Sequence, residues 1–285
     1  MKITLWGTRG SVATPGPETM RYGGNTSCVE VRGQDGTLLV LDAGTGIRRL
    51  GDSVGPEITR IDLLLTHLHM DHILGLGFFD PLFRDDLDIH IWGPSTITLD
   101  LRDHLNRYLS PPLFPVRLRD LPCDLHLHDV VAMGPFQVGG FQISSSLVCH
   151  PGPTVGYRIE GDGASLAYIP DHEPALGCNA LPEDSNWVSG MELARGADLL
   201  IHDAQYTAEE YPNHVGWGHS SLPHVLEFAR RAGVGALVPF HHDPSHTDDS
   251  LDGIYANLRR REDLDFDVVP AVEGDCFKLG RSADR

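Results

Sequence analysis

Within Thr66-His67-Leu68-His69-Met70-Asp71-His72 the chain carries four side chains able to bind a metal, directly after the apolar run 61–65. Neutral imidazole and carboxylate together suit Zn²⁺, with Fe or Mn as alternatives. A strand turning into a loop splays His67 and His69 toward one ion, and the next turn sends Asp71 and His72 toward a second. Without a cation between them, four such groups this close would repel or desolvate one another.

One stretch of this kind supplies too few ligands to close two ions. The best further candidates end apolar strands: His150 follows Ser146-Leu147-Val148-Cys149, Asp171 follows Leu166-Ala167-Tyr168-Ile169-Pro170, and His241 follows Ala236-Leu237-Val238-Pro239-Phe240. Each places one polar group at the edge of the core. If Asp171 and His241 face a site, their neighbours His172 and His242 are expected to point away. The run Asp124-Leu125-His126-Leu127-His128-Asp129 also contains two histidines. Its strict alternation reads as a half-exposed strand with both imidazoles on one face.

The elements that must carry these residues are mostly short strands. Residues 2–7, 27–32, 37–42, 61–66 and 88–92 read as strands, with a hairpin turn at 33–36. Residues 136–148, 154–159, 165–169, 198–201 and 236–240 repeat the habit. Helices are expected over 96–109, 222–232 and 251–261, the second capped by Ser220 or Ser221 with Pro223 in its first turn. Strands outnumber helices and polar residues sit at strand ends, which suits two sheets packed face to face with helices outside.

Composition narrows the class. The 285 residues are 41% hydrophobic and 22% charged, as in a globular protein, and suffice for one large domain over 1–285. No apolar run approaches the roughly 20 residues of a membrane span, so no membrane partner is expected. The first seven residues lack a signal-peptide core and read as the first strand. Five scattered cysteines without a CxxC pair fit reduced thiols in the cytoplasm. With 22 Lys+Arg against 40 Asp+Glu the formal charge is −18, which offers no basic footprint for a long nucleic acid.

These residues resemble the metallo-β-lactamase superfamily, and the match runs over nearly the whole chain. Asp42, ending Leu38-Leu39-Val40-Leu41-Asp42, is similar to the first motif, whose carboxylate props the metal loop. His67, His69, Asp71 and His72 resemble the second motif, and His150, Asp171 and His241 the third to fifth. The resemblance implies an α/β fold, the αββα sandwich, with two divalent ions at the rim. His67, His69 and His150 would hold one ion, Asp71, His72 and His241 the other, and Asp171 both. A metal-bound hydroxide would be the nucleophile.

Within the superfamily the chain looks most like the phosphodiesterase branch that includes tRNase Z and PhnP-like hydrolases. Trp6-Gly7-Thr8-Arg9-Gly10-Ser11 and Gly24-Asn25-Thr26-Ser27 are similar to the opening loop of that branch. His202-Asp203-Ala204 and His219-Ser220-Ser221 resemble two further tRNase Z motifs. The resemblance implies catalytic roles for Asp71, His219 and Asp203, with His219 as the proton donor to the leaving group and Asp203 orienting it. Arg9, Arg21 and Asn25 are candidates for substrate contacts. The long arm that tRNase Z carries between its third and fourth motifs is missing from residues 151–170. A small phosphodiester, a cyclic nucleotide or a short nucleic-acid end, is therefore the expected substrate. A lactone or thioester hydrolase and a tRNA 3′-processing endonuclease are the alternatives on the same metals, and family habit makes a homodimer the expected assembly.

Overall fold

A computed structural model describes residues 1–96, 98–130, 134–174, 180–258 and 264–280. Strands β1 (Lys2–Gly7), β2 (Cys28–Arg32), β3 (Leu38–Leu41), β4 (Arg60–Leu64), β5 (Asp88–Gly93) and β6 (Asp124–Asp129) belong to the first sheet. The second sheet contains β7 (Phe136–Val138), β8 (Phe141–Leu147), β9 (Val155–Gly161), β10 (Ala164–Ile169), β11 (Leu199–Asp203), β12 (Ala236–Phe240) and β13 (Asp267–Val268). The last strand, β14 (Cys276–Lys278), returns to the first sheet beside β1. Each sheet has seven strands, in the orders β14-β1-β2-β3-β4-β5-β6 and β13-β12-β11-β10-β9-β8-β7.

Three apolar layers hold this arrangement together. Between the sheets, Leu5, Val31, Leu41 and Leu64 meet Ile143, Tyr157, Leu166, Tyr168, Val238 and Phe240. On the outer face of the first sheet, Val40, Leu63 and Ile89 pack under helices α1 (Ile47–Asp52) and α3 (Leu101–Tyr108). On the outer face of the second, Ala167, Ile169 and Leu237 pack under α4 (Met191–Ala194), α5 (Leu222–Ala232) and α6 (Asp248–Leu258). The central strands are covered on both faces, which is why their sequences are continuously apolar rather than alternating. The result is the αββα sandwich.

Strands β3 to β6 run parallel, as do β10 to β13. Polar residues at the carboxyl ends of such strands collect in one crevice. Two tyrosines of the second sheet reach across to fix it: Tyr157 donates to the Leu65 carbonyl at 2.7 Å and Tyr168 to Asp42 Oδ2 at 2.9 Å.

Some expected boundaries move. The helix expected over 96–109 begins only at Leu101, because Asp100 caps it by accepting from Asp103 N and Thr96 Oγ1 accepts from Leu99 N in a competing turn. Strand 136–148 is a hairpin, broken at Gly139 and Gly140, with Gly139 at φ 52°. Helix α6 starts at Asp248, where two acidic residues complement its positive end, and residues 259–261 lie outside the described residues. The short strands β13 and β14 carry too few residues for a periodic signal. Cys28, Cys123, Cys149 and Cys276 are free thiols, while Cys178 lies outside the described residues. Among the described residues no helix is long and apolar enough to cross a membrane.

Tyr157 is fully buried, so Tyr157→Phe leaves a carbonyl at the root of the His67 loop without its donor. The substitution is expected to lower the unfolding free energy by about 1–3 kcal/mol, read by urea denaturation.

Candidate metal centre

The loop that follows β4 is held by one carboxylate. Asp42 Oδ1 accepts from Thr66 N at 2.7 Å, and Asp42 Oδ2 accepts from the Thr66 hydroxyl at 2.9 Å and His72 Nδ1 at 2.9 Å. These bonds fold residues 66–72 so that His67 leaves the strand inward and the one-turn helix α2 (Met70–Ile73) turns Asp71 and His72 the same way.

The other imidazoles are aimed by the same device. His150 Nδ1 donates to the Gly218 carbonyl at 2.8 Å, and His241 Nδ1 to Gln205 Oε1 at 3.0 Å. His67 Nδ1 lies 3.1 Å from the Thr66 hydroxyl, which itself donates to Asp42 and so accepts. With Nδ1 engaged, His67, His72, His150 and His241 turn Nε2 inward, the orientation a metal requires. His69 presents Nδ1, 3.2 Å from His150 Nε2. Gly218 sits at φ 90°, and a Cβ there would lie 2.4 Å from His150 Nδ1, so only glycine lets the backbone approach the ring.

The inward atoms form two groups, His67–His69–His150 and Asp71–His72–Asp171–His241, each with all its ligand atoms within 4.8 Å of one another. Asp171 serves both. Its Oδ1 is 3.0 Å from His72 Nε2 and 3.4 Å from His241 Nε2, and its Oδ2 is 3.7 Å from His67 Nε2 and 3.8 Å from His150 Nε2. His67 Nε2 and Asp171 Oδ1 are buried without a hydrogen-bond partner. Orphaned polar atoms of this kind are costly, and cations between the two groups satisfy both.

Electrostatics agree with that fit. Burial lowers the pKa of His67, His69 and His150, keeping them neutral and able to ligate. Burial works against ionisation of Asp171, but His241 and His72 outweigh it and hold the carboxyl well below its usual range. Asp71 is likewise held down by His72 and His241 against its burial. Backbone strain concentrates here too. Of the four non-glycine residues with positive φ among the described residues, Ser11 (60°), Asp42 (58°) and His241 (62°) lie at this centre. Such conformations cost about 1–3 kcal/mol each and persist where the surroundings over-determine them.

A model of the β-lactamase superfamily domain matches residues 37–242, a span that contains every one of these ligands. The chain belongs to the metallo-β-lactamase superfamily. It is 29% identical over 266 residues to a ribonuclease Z of Mycobacterium bovis, covering 86% of this chain and 87% of that one. To a ribonuclease Z of Mycolicibacterium gilvum it is 31% identical over 274 residues, covering 86% and 85%. Among solved structures, a diphosphatase of the PhnP family superposes with TM-score 0.68 at 18% identity, covering 97% of this chain and 96% of that one. Human short-form tRNase Z gives TM-score 0.67 at 21% identity, covering 99% and 100%. At these identities the structural likeness speaks to the fold alone. The chain is thus a metallo-β-lactamase-fold hydrolase bearing the His/Asp metal cluster of its superfamily.

His219 and Asp203 lie beside the cluster. His219 Nδ1 is 2.7 Å from Asp203 Oδ2 and 3.9 Å from Asp171 Oδ2. Burial lowers the pKa of His219, but the Asp203 carboxylate more than offsets it and raises the group to about 9. His172 turns away from the cluster, its Nδ1 2.9 Å from His202 Nε2, and His242 donates to the Ala271 carbonyl.

The three residues expected to contact substrate all have partners within the protein. Arg9 is fully buried and donates to the carbonyls of Gly23, Asp243 and His246. Arg21 pairs with Asp249 and Asp252, and the Asn25 side chain donates to Glu273 at 3.0 Å. The opening loop reaches the centre through Ser11 instead, whose N–H donates to Asp71 Oδ2 at 2.8 Å. Two positioning residues escape a sequence reading. Gln205 aims His241, and buried Glu173 accepts from Gly216 N, Gly218 N and Tyr211 Oη, which ties down the loop that meets His150 and carries His219. Only their closeness to Asp171 and Asp203 in sequence could have marked them.

Asp42→Asn removes the anionic acceptor behind His72 while leaving all seven inward ligands in place. It is expected to weaken metal affinity by about 10–100-fold, measured by chelator competition. Stability should also depend on pH through His202. Burial holds it to about 4, against an unfolded value of about 6.5. The unfolded chain therefore binds more protons between those values, and stability present above pH 6.5 is lost as pH falls toward 4. Urea unfolding in the presence of a chelator should show a steeper loss across this window in wild type than in His202→Gln.

Proposed function

We propose that this hydrolase is a dinuclear, zinc-dependent phosphodiesterase acting on a small substrate, a cyclic nucleotide or a short nucleic-acid end. The observation that carries the reading is the His219–Asp203 pair, at 2.7 Å, set against the edge of the metal cluster. Expulsion of a poor alkoxide leaving group from phosphorus calls for a proton donor of this kind, whereas a thiolate leaves a thioester without one. The ribonuclease Z relatives point the same way.

Two divalent ions held by His67, His69, His150, Asp71, His72, His241 and the shared Asp171 would supply positive charge for the phosphoryl oxygens and acidify an attacking water toward a pKa of about 7. Asp71, ionised beside His72 and His241, would align that water as a hydrogen-bond acceptor. His219 has Nδ1 engaged by Asp203, so Nε2 is the nitrogen left to face a leaving group. The Asp203 carboxylate favours the protonated form of His219, and Nε2–H is the proton delivered to the departing oxygen.

Three features support a small substrate. The chain between His150 and Asp171 is taken up by β9 and β10 and their turn, with no projecting arm. The formal charge of −18 disfavours a long polyanion. Beside His67 and His69 opens a cleft of about 120 Å³ lined by Leu68, Pro94, Thr96, His104 and Pro151. It is well below the roughly 300–1,000 Å³ of drug-sized pockets and fits a single ring.

Elemental analysis followed by turnover of bis-p-nitrophenyl phosphate, cyclic nucleotides, short RNA and a lactone tests the reading. Two zinc ions bound at this cluster, and phosphodiester cleavage, are expected. His219→Ala should lose about 10²–10⁴ in kcat on esters with poor leaving groups and much less with p-nitrophenolate. Full metal content with lactone hydrolysis alone, insensitive to His219→Ala, would replace this reading with the carbonyl one.

A further inference from the structure

Far from the centre, at the amino-terminal ends of β5 and β6, the sheet carries a second group of ligand-type side chains. The register pairs Asp88 with Asp124, His90 with His126 and Trp92 with His128. A strand alternates faces, so all six lie on one side of the sheet. The His90 and His126 rings stack at 4.6 Å with an interplanar angle of 21°. Their Nε2 atoms converge on one carboxylate oxygen, with Asp88 Oδ1 3.0 Å from His90 Nε2 and 3.4 Å from His126 Nε2. Asp124 Oδ1 is 3.2 Å from His126 Nε2.

These distances have the look of ion pairs, yet Asp88 Oδ1 is buried and makes no hydrogen bond. The imidazole nitrogens stand beside it without aiming at it. Atoms that share a neighbourhood but not a bond axis point to a common position between them. The same signature marks His67 Nε2 and Asp171 Oδ1 in the main cluster. Ligands bound tetrahedrally at about 2.0–2.1 Å stand roughly 3.3 Å from one another, close to the separations here. His90 Nδ1 is engaged by His128 Nε2 at 2.8 Å, and His128 is backed by Trp92 at 3.9 Å between ring centres. When Nδ1 is the donor, Nε2 of His90 keeps a free lone pair, as in imidazoles oriented behind a metal. Arg60, the nearby cation, is committed to Asp62 through two hydrogen bonds at 2.8 and 2.9 Å. Asp124 is 77% exposed and His126 44%, so the position is open to solvent and to a fourth ligand.

We propose that Asp88, His90 and His126, with water completing the sphere, form an additional zinc site that clamps edge strand β6 to β5. Imidazole and carboxylate donors select a borderline divalent ion, with Ni²⁺ and Cu²⁺ as competitors. An edge strand tied in this way is also less open to pairing with another chain. The proposal is independent of the reaction assigned to the main cluster.

The test is a calorimetric titration of the full-length protein with zinc chloride, comparing wild type with His126→Asn and Asp88→Asn, each checked for cooperative unfolding. Wild type should bind one more zinc per chain than either variant, or bind that ion more tightly by well over the roughly 10–100-fold effect of an outer-sphere partner. Equal stoichiometry and affinity in all three would overturn the site. A measurement free of substitutions stands beside it, anomalous diffraction at the zinc edge from crystals equilibrated with micromolar zinc chloride. Density between Asp88, His90 and His126 is expected. Density at the His67–His241 cluster alone would refute the proposal.

Discussion

One buried carboxylate organises the functional end of this molecule. Asp42 lies at the end of β3 with no exposure to solvent and accepts hydrogen bonds from Thr66, His72 and Tyr168. Those partners come from the metal loop, the first turn of α2 and the opposite sheet. An anion this deep is tolerable only with its lone pairs filled, so each partner is locked in place by the cost of leaving it. The left-handed backbone at Asp42 turns the side chain back over the end of its own strand. The geometry of His67 and His72 therefore rests on a residue that belongs to neither of the two side-chain groups.

Asp203 and Glu173 extend the same logic to the second sheet. Asp203 accepts from Gln205 N, Ser220 N and His172 N as well as from His219. Glu173 gathers the glycine-rich loop at 216–218. Between them they place one backbone carbonyl behind His150 and one imidazole beside the cluster. Behind these carboxylates, Ser189, His172, His202 and the Asp203 carbonyl form a chain of hydrogen bonds. The chain is complete with both imidazoles neutral, in keeping with the lowered pKa that burial imposes on each.

Much of this was legible beforehand because strand ends are local features. A run such as Leu38-Leu39-Val40-Leu41-Asp42 shows where a buried strand stops and which polar group it delivers. The seven clustered His and Asp side chains, the αββα layers and the outward turn of His172 and His242 follow from such runs together with the family resemblance. Arg9 was misplaced because an arginine in a glycine-rich loop looks the same in sequence whether it faces solvent or three backbone carbonyls. Gln205 and Glu173 stayed hidden for the converse reason, since a buried polar residue has no periodic mark.

The sequence alone settled the kinds of ligand, their order along the chain and the strands that carry them. Side-chain direction within a strand alternates with period two, and donor chemistry belongs to the residue type. Tertiary structure decided which of those groups meet. It brought the two oxygens of Asp171 toward different histidine groups, stacked His90 on His126 at the opposite end of the sheet, and turned Arg21 and Asn25 to acidic partners far along the chain. Distances between strand ends are set by how two sheets pack and by which strands adjoin, and those contacts lie far apart in sequence.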